Sequence, residues 1–417
     1  MPQPLVEPGP PLESARLARY ARQLALPGHT PEAQQRLANA RVLIIGAGGL
    51  GSATIPLLAS TGIGTAGNGT IGVIDTDTVE LSNLHRQTAH GMNDIGRAKL
   101  DSLADTVRAI DPDVRYVPHP VRLTADNALD LFHDYDLVLD GSDNFPTRYL
   151  VADAAEIVGI PVVWGSILGY QGQISISWAS EGPRYRDLFP TPPPPGAIPS
   201  CATGGVIPSV CAVIGGLMHA EAIKLIIGHG EPLLGTLTSY DALTGRFRTL
   251  DYARNPDTPP VTELIDYEQF CGITTAPTSQ PARPSASQPT TGTRAADASA
   301  TASGTATAIG EAPDAIEPRE LAELLRTGAP LQLIDIREPY EHAIAAIEGA
   351  ELIPMGTVPS QLGRIRTDVP VVLYCHHDAR SQRVLDYLRD RGYDNVTHLA
   401  GGIDRYTLDA EPALTRY

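Results

Sequence analysis

The segment RVLIIGAGGLGSATIPLLAST (41–61) constrains the fold of this chain more than any other stretch. It opens on a run of Val, Leu and Ile, the signature of a strand buried on both faces, and passes directly into a glycine-rich turn and a helix-compatible stretch. Gly46, Gly48 and Gly51 have the spacing of a dinucleotide fold, in which glycines permit a tight turn and let amides at a helix N-terminus approach phosphate oxygens. Further apolar runs, TIGVID (70–75), DLVLD (136–140) and PVVWG (161–165), alternate with stretches of helical period such as 99–110. Strand and helix in alternation predict an α/β fold, a Rossmann-like, mostly parallel sheet covered on both faces. Asp75, at the end of the second predicted strand, is placed to accept hydrogen bonds from a ribose. Such a turn serves NAD as well as ATP, and also occurs as a purely structural feature.

The chain has 417 residues, 42% of them hydrophobic, enough for two or three cores. Between 273 and 313 the sequence collapses into Ala, Thr, Ser, Pro and Gly with no aromatic residue, the composition of a linker. About 40 residues of flexible coil span roughly 35 Å, which would let one domain visit the other's active site. The expected organisation is a nucleotide-binding domain over 1–274, a linker over 275–312 and a smaller α/β domain over 313–417. The last is read from a helix at 318–326, strands LQLIDI and VVLYC, a helix at 381–391 and a strand NVTHLA. A formal charge of −17 argues against a general nucleic-acid binder. The N-terminal MPQPLVEPGPPLES lacks the charged start and apolar middle of a secretory signal, so a cytoplasmic location is the expectation. The most apolar stretch, 205–227, contains Pro208, His219, Glu221 and Lys224 and reads as a buried helix rather than a membrane span. Four widely spaced cysteines make no disulfide framework.

Residues downstream separate ATP from NAD. SNLHRQ (82–87) supplies Arg86, the next helix supplies Lys99, and DGSDN (140–144) supplies Asp143 and Asn144. Hydride transfer needs no such array. Nucleotidyl transfer does, since cations must neutralise charge developing on a phosphate and a carboxylate must hold Mg²⁺. Singly, each of these residues reads as a surface Arg or Lys or a turn Asp; together they favour ATP.

With RYARQ (19–23), GAGGLGS (46–52), DTDTVELSNLHRQ (75–87), GRAK (96–99), DGSDN, QGQISI (171–176) and RNP (254–256), residues 19–272 resemble the ThiF/MoeB family, bacterial relatives of ubiquitin-activating enzymes. The resemblance implies ATP-dependent adenylation of the terminal glycine of a small β-grasp sulfur carrier ending in Gly-Gly. It further implies that Gly48, Asp75, Ser82, Asn83, Leu84, His85, Arg86, Lys99 and Asn144 bind nucleotide, that Asp143 holds Mg²⁺, and that Arg22 reaches across a homodimer into the partner's site. Many members hold a structural zinc with two CxxC pairs. Here RYRD (184–187) replaces one pair and no second lies near Asn255, so no zinc is predicted. That replacement, with PPPPGAIPSC (192–201) and ELIDYEQFCG (263–272), looks most like the actinobacterial branch of the family. GTAGNGT (64–70) departs from the pattern by extending the turn before the second strand. Cys201 occupies the family's crossover-loop position, where it is either a small buried residue or an acceptor thiol. Cys211 and Cys271 are assigned to packing.

In VVLYCHHDARS, Cys375 ends a strand and Arg380 begins a helix, with four residues between them. So short a loop closes on itself, and its amides, the helix dipole and Arg380 form an anion cradle that favours a thiolate and a persulfide. A phosphatase loop has five intervening residues, so this ring suits sulfur. Together with IDIREPYE (334–341), EGAELIP (348–354) and HLAGGI (398–403), the loop resembles the rhodanese family, which implies that Cys375 carries the persulfide and Arg380 stabilises it. Asp378, a negative charge in a loop built for an anion, departs from the pattern, as do Ala345 and Ala346, where Gly-His is usual. His376 and His377 either offset Asp378 or are loop residues without a role.

The combined expectation is acyl adenylation followed by thiolysis. The carrier thiocarboxylate so formed would feed molybdopterin, thiamine or cysteine synthesis, and the sulfur donor would be a cysteine desulfurase or thiosulfate. Two alternatives stand beside it: an NAD-dependent oxidoreductase with a passive C-terminal docking domain, and an enzyme adenylating a non-protein carboxylate, such as one on a modified tRNA, with a degenerate rhodanese domain.

Overall fold

A computed structural model describes residues 3–194, 204–272 and 314–416. The chain divides into two compact units, Met1–Arg283 and Pro284–Tyr417. The expected linker lies outside the described residues, as does Cys201.

In the first unit, β1 (Arg41–Ile45), β2 (Thr70–Ile74), β3 (Tyr116–His119), β4 (Leu137–Asp140), β5 (Val162–Leu168), β6 (Gln171–Ser177), β7 (Thr236–Asp241) and β8 (Arg246–Asp251) form one sheet in the order β3-β2-β1-β4-β5-β6-β7-β8. Pairing is parallel from β3 to β5 and antiparallel beyond. Beyond Arg41, β1 is apolar because it feeds two cores. Val42 and Ile44 face one, Leu43 and Ile45 the other, as a strand's period of two requires. Helices Gly49–Thr61, Lys99–Ile110 and Pro208–Ile227 cover the first face; Ala128–His133 and Phe145–Val158 cover the second. Each large aliphatic side chain so buried contributes about 1.5–3 kcal/mol.

The Pro208–Ile227 helix is long and apolar enough to cross a membrane, yet Val210, Ile214, Met218 and Leu225 lie in the sheet's core. Its buried Glu221 accepts from the Leu233 amide at 2.9 Å and pairs with Lys224 at 2.5 Å. It is a core helix, as its charges suggested.

Parallel pairing follows the expected pattern, and the β6–β8 meander extends it. All six residues of β8 are exposed, so no alternation of apolar and polar residues marks it in the sequence.

The second unit carries a parallel sheet of β9 (Ala315–Ile316), β10 (Gln332–Asp335), β11 (Glu351–Leu352), β12 (Val371–Tyr374) and β13 (Val396–Leu399), in the order β11-β10-β12-β13-β9. The helix after β12 spans Ala379–Arg389, starting two residues before the expected 381.

Candidate active sites

β1 sits between β2 and β4, so the direction of winding reverses there and a crevice opens beyond the carboxyl ends of the strands. A cleft of 970 Å³ occupies that place. The glycine loop forms its floor. A Cβ on Gly51 would stand 2.1 Å from the Gly46 carbonyl oxygen, so only glycine lets the Gly49–Thr61 helix start so close to β1. Asp75 locks the loop to the neighbouring strand, its carboxylate accepting from the Ala47 amide and from the Asp77 amide, both at 2.7 Å.

The cleft gathers Gly48, Asp75, Asn83, Arg86, Lys99, Asp143 and Asn144 from five separate segments. Lys99, itself buried, reaches Asp77 at 2.8 Å from the first turn of its helix. Arg86 donates to the Ser82 carbonyl at 2.9 Å, and Asn144 caps the Phe145–Val158 helix by accepting from Thr147 N at 2.9 Å. Asp143 is exposed on the cleft wall. Beneath it Asp140 is fully buried; desolvation raises its pKa, and Arg148 opposes that rise.

Other expected residues lie elsewhere. Ser82, Leu84 and His85 do not line the cleft; they build the turn that presents Asn83 and Arg86, with His85 Nδ1 bonded to the Ser82 carbonyl at 3.0 Å. Arg22 is exposed on a short helix and is also absent from the lining. Its neighbours Arg19 and Tyr20 are tied to Asp111. RYRD is a polar clamp. Arg184 pairs with Asp187 at 3.0 Å and donates to the carbonyls of Thr258 at 2.7 Å and Pro259 at 3.0 Å, fastening the segment that follows RNP. Among the described residues no group of three or more His, Cys, Asp or Glu could hold a metal. Cys211 is packed in the core, whereas Cys271, buried beside Tyr149 and Tyr185, also reaches the cleft wall, and burial raises its pKa.

Two buried polar atoms on residues that line this cleft have no hydrogen-bond partner among the described residues: Gln87 Oε1 and Trp164 Nε1, on residues 3% and 2% exposed. Buried polar groups are nearly always satisfied, so unpartnered atoms on the lining residues favour a polar ligand in the cleft. The Gln87 amide nitrogen stands 3.9 Å from where a Cβ of Gly48 would sit, over the glycine loop. In the sequence Gln87 only ends a motif, and Trp164 looks like core.

In the second unit Cys375 follows β12 and is 1% exposed, its Sγ 3.4 Å from Ser381 Oγ. The carbonyls of Cys375 and His376 accept from Ile403 N at 2.9 Å and Asp404 N at 3.1 Å. Because each trans peptide opposes its N–H to its C=O, the amides of His376 and His377 point the other way, as an anion cradle requires. Gly402 makes this seat possible: with φ +60, a Cβ there would lie 2.3–2.6 Å from the carbonyls of Cys375, His376 and His377. Asp378 turns outward, accepting from the Gly401 amide at 2.7 Å and lying 3.7 Å from His398. Its charge therefore closes the ring from outside. Ala345 serves through its backbone, accepting from buried Arg337 at 2.7 Å. Burial lowers the pKa of His376, and neighbouring His377 lowers it further.

Comparison with known proteins places these sites in context. The ThiF family model matches residues 20–260 and the rhodanese-like domain model residues 317–409. A probable adenylyltransferase/sulfurtransferase, MoeZ of Mycobacterium tuberculosis, is 45% identical, covering 99% of this chain and 98% of its own. A sulfur carrier protein adenylyltransferase of Thermus thermophilus is 48% identical over 62% of this chain and 97% of its own, and the adenylyltransferase and sulfurtransferase MOCS3-2 of Zea mays is 33% identical over 97% and 82%. Among solved structures, E. coli MccB with MccA-N7isoASN aligns with a TM-score of 0.52 at 20% identity, covering 59% of this chain and 75% of that one, a likeness of fold.

Proposed function

Because the chain belongs to the ThiF family and carries a rhodanese-like domain behind it, we propose that it adenylates the C-terminal glycine of a small ubiquitin-like sulfur carrier and then delivers sulfur to it. The observation carrying this reading is the 970 Å³ cleft at the switch point, with Arg86, Lys99 and Asp143 on its wall and the unpartnered Gln87 Oε1 and Trp164 Nε1 on its lining residues. In the first step the carrier carboxylate attacks the α-phosphorus of ATP and pyrophosphate leaves. Loop amides beside Gly48 and the cations Arg86 and Lys99 take the phosphate charge. Asp143 suits Mg²⁺, which binds through one or two carboxylates plus substrate phosphates, and the metal would supply further neutralisation there. Asp75 keeps lone pairs for the ribose while bracing the loop.

In the second step the terminal sulfur of a Cys375 persulfide attacks the acyl carbon and AMP leaves, giving an acyl disulfide. A second thiol, for which Cys201 stands at the crossover position, attacks the Cys375 sulfur; a Cys–Cys disulfide forms and the carrier departs as thiocarboxylate. The reaction is cytoplasmic, and the sulfur comes from a desulfurase or thiosulfate. Arg22, outward-facing and away from its own cleft, supports a homodimer in which it serves the partner's. The relatives' names speak for adenylation, and none speaks for an NAD oxidoreductase.

The test is exchange of labelled pyrophosphate into ATP. It is expected only when a protein ending in Gly-Gly is added; NAD binding without exchange would overturn the proposal.

A further inference from the structure

Arg380, assigned above to the persulfide cradle, is held by a carboxylate. Its two terminal nitrogens bind the two carboxylate oxygens of Glu341 at 2.6 and 2.7 Å, a bidentate pair with the carboxylate 4% exposed. Glu341 is held in turn. It lies on the Pro339–Ile344 helix, where one oxygen also accepts from the Glu338 amide at 3.0 Å. A bidentate pair fixes the plane of a guanidinium, which a single contact leaves free to turn.

We infer that Glu341 is a positioning residue for sulfur transfer: it sets the orientation of Arg380 and limits the positive charge that the Cys375 sulfur feels. A cradle whose cation were uncompensated would hold a thiolate or persulfide most strongly and make it the poorest nucleophile, whereas a sulfur that must leave again needs a weaker grip. The charges around Arg380 agree with a tuned rather than a maximal field. Buried Arg337, which bears on Glu341, is neutralised by Asp335 at 2.6 Å, and Asp378 points out of the ring. From the far side, His376 and His377 face Asp404, with His377 3.9 Å from it. Desolvation works to raise the pKa of Glu341, but the hydrogen bonds from Arg380 and from the Glu338 amide, with the charges of Arg380 and Arg337, together outweigh it and hold the carboxyl below its usual range, so it is charged at neutral pH.

The inference rests on Cys375 being the sulfur carrier, and the test separates the two. Full-length protein is loaded with thiosulfate and the persulfide on Cys375 read by mass; the unloaded protein is alkylated with iodoacetamide across pH. Glu341→Gln keeps the shape and removes the charge, so its alkylation profile should move to lower pH by roughly half a unit or more, while loaded persulfide is passed on more slowly. Glu341→Asp keeps the charge but draws Arg380 out of place, so its profile should stay near the wild type while transfer slows. Unchanged profiles and unchanged transfer in both variants overturn the inference. A wild-type Cys375 that takes no sulfur overturns the reading beneath it.

Discussion

The molecule builds two anion sites in opposite ways. The nucleotide cleft is assembled by topology: a glycine loop after β1 meets Asp75 just beyond β2, Lys99 from the Lys99–Ile110 helix and Asp143 from the loop after β4. The sulfur loop is local, with Cys375 and Arg380 in one ring of six consecutive residues, closed by Gly402 and braced by Glu341. A distributed site accommodates a large ligand and divides its charge among many groups. A local ring grips one atom. The difference suits a nucleotide in one case and a single sulfur in the other.

If the two sites are separable in this way, Cys375→Ser should abolish thiocarboxylate formation entirely, read by carrier mass, while leaving pyrophosphate exchange unchanged. A parallel loss of exchange would break the comparison. Asp143→Ala should do the reverse. Exchange falls about 100-fold or more, and persulfide loading of Cys375 is untouched.

A smaller effect comes from the loop's backbone. Gly51→Ala meets the Gly46 carbonyl, which cannot give way, and should cost about 1–3 kcal/mol of stability, with a raised KM for ATP. Calorimetry and exchange kinetics check both.

The smallest effect concerns pH. His219, bonded to Thr61 at 2.7 Å, has its pKa lowered by burial from 6.5 to about 4. The unfolded chain therefore binds a proton that the folded one refuses between those values. Stability is fully present above 6.5 and is lost as the pH falls towards 4. At pH 5.5 the loss is about 1 kcal/mol, or roughly 2–4 °C in the Tm of the first unit. His219→Gln should flatten that slope.

The same contrast governs what the sequence discloses. A local ring is legible: the spacing of Cys375 and Arg380, the apolar strand before them and the glycines after His398 all sit in the text. What it hides is direction, since Asp378 faces out only because Gly401 and His398, 20 or more residues later, receive it. The distributed cleft is legible in its motifs and hidden in its walls. Trp164 reads as an apolar core residue, and its unpartnered Nε1 becomes visible only when β5 is laid beside β4. β8, exposed on both faces, leaves no period to read, and β9 and β11 are two residues long, too short to carry one.

Both steps fall, in order, to this single chain. Full-length protein, ATP and thiosulfate would be mixed with a small protein ending in Gly-Gly and that protein weighed. The prediction is an exchange of one oxygen for one sulfur that requires both ATP and Cys375. Sulfur gained without ATP, or an adenylate that forms and is never converted, would contradict it.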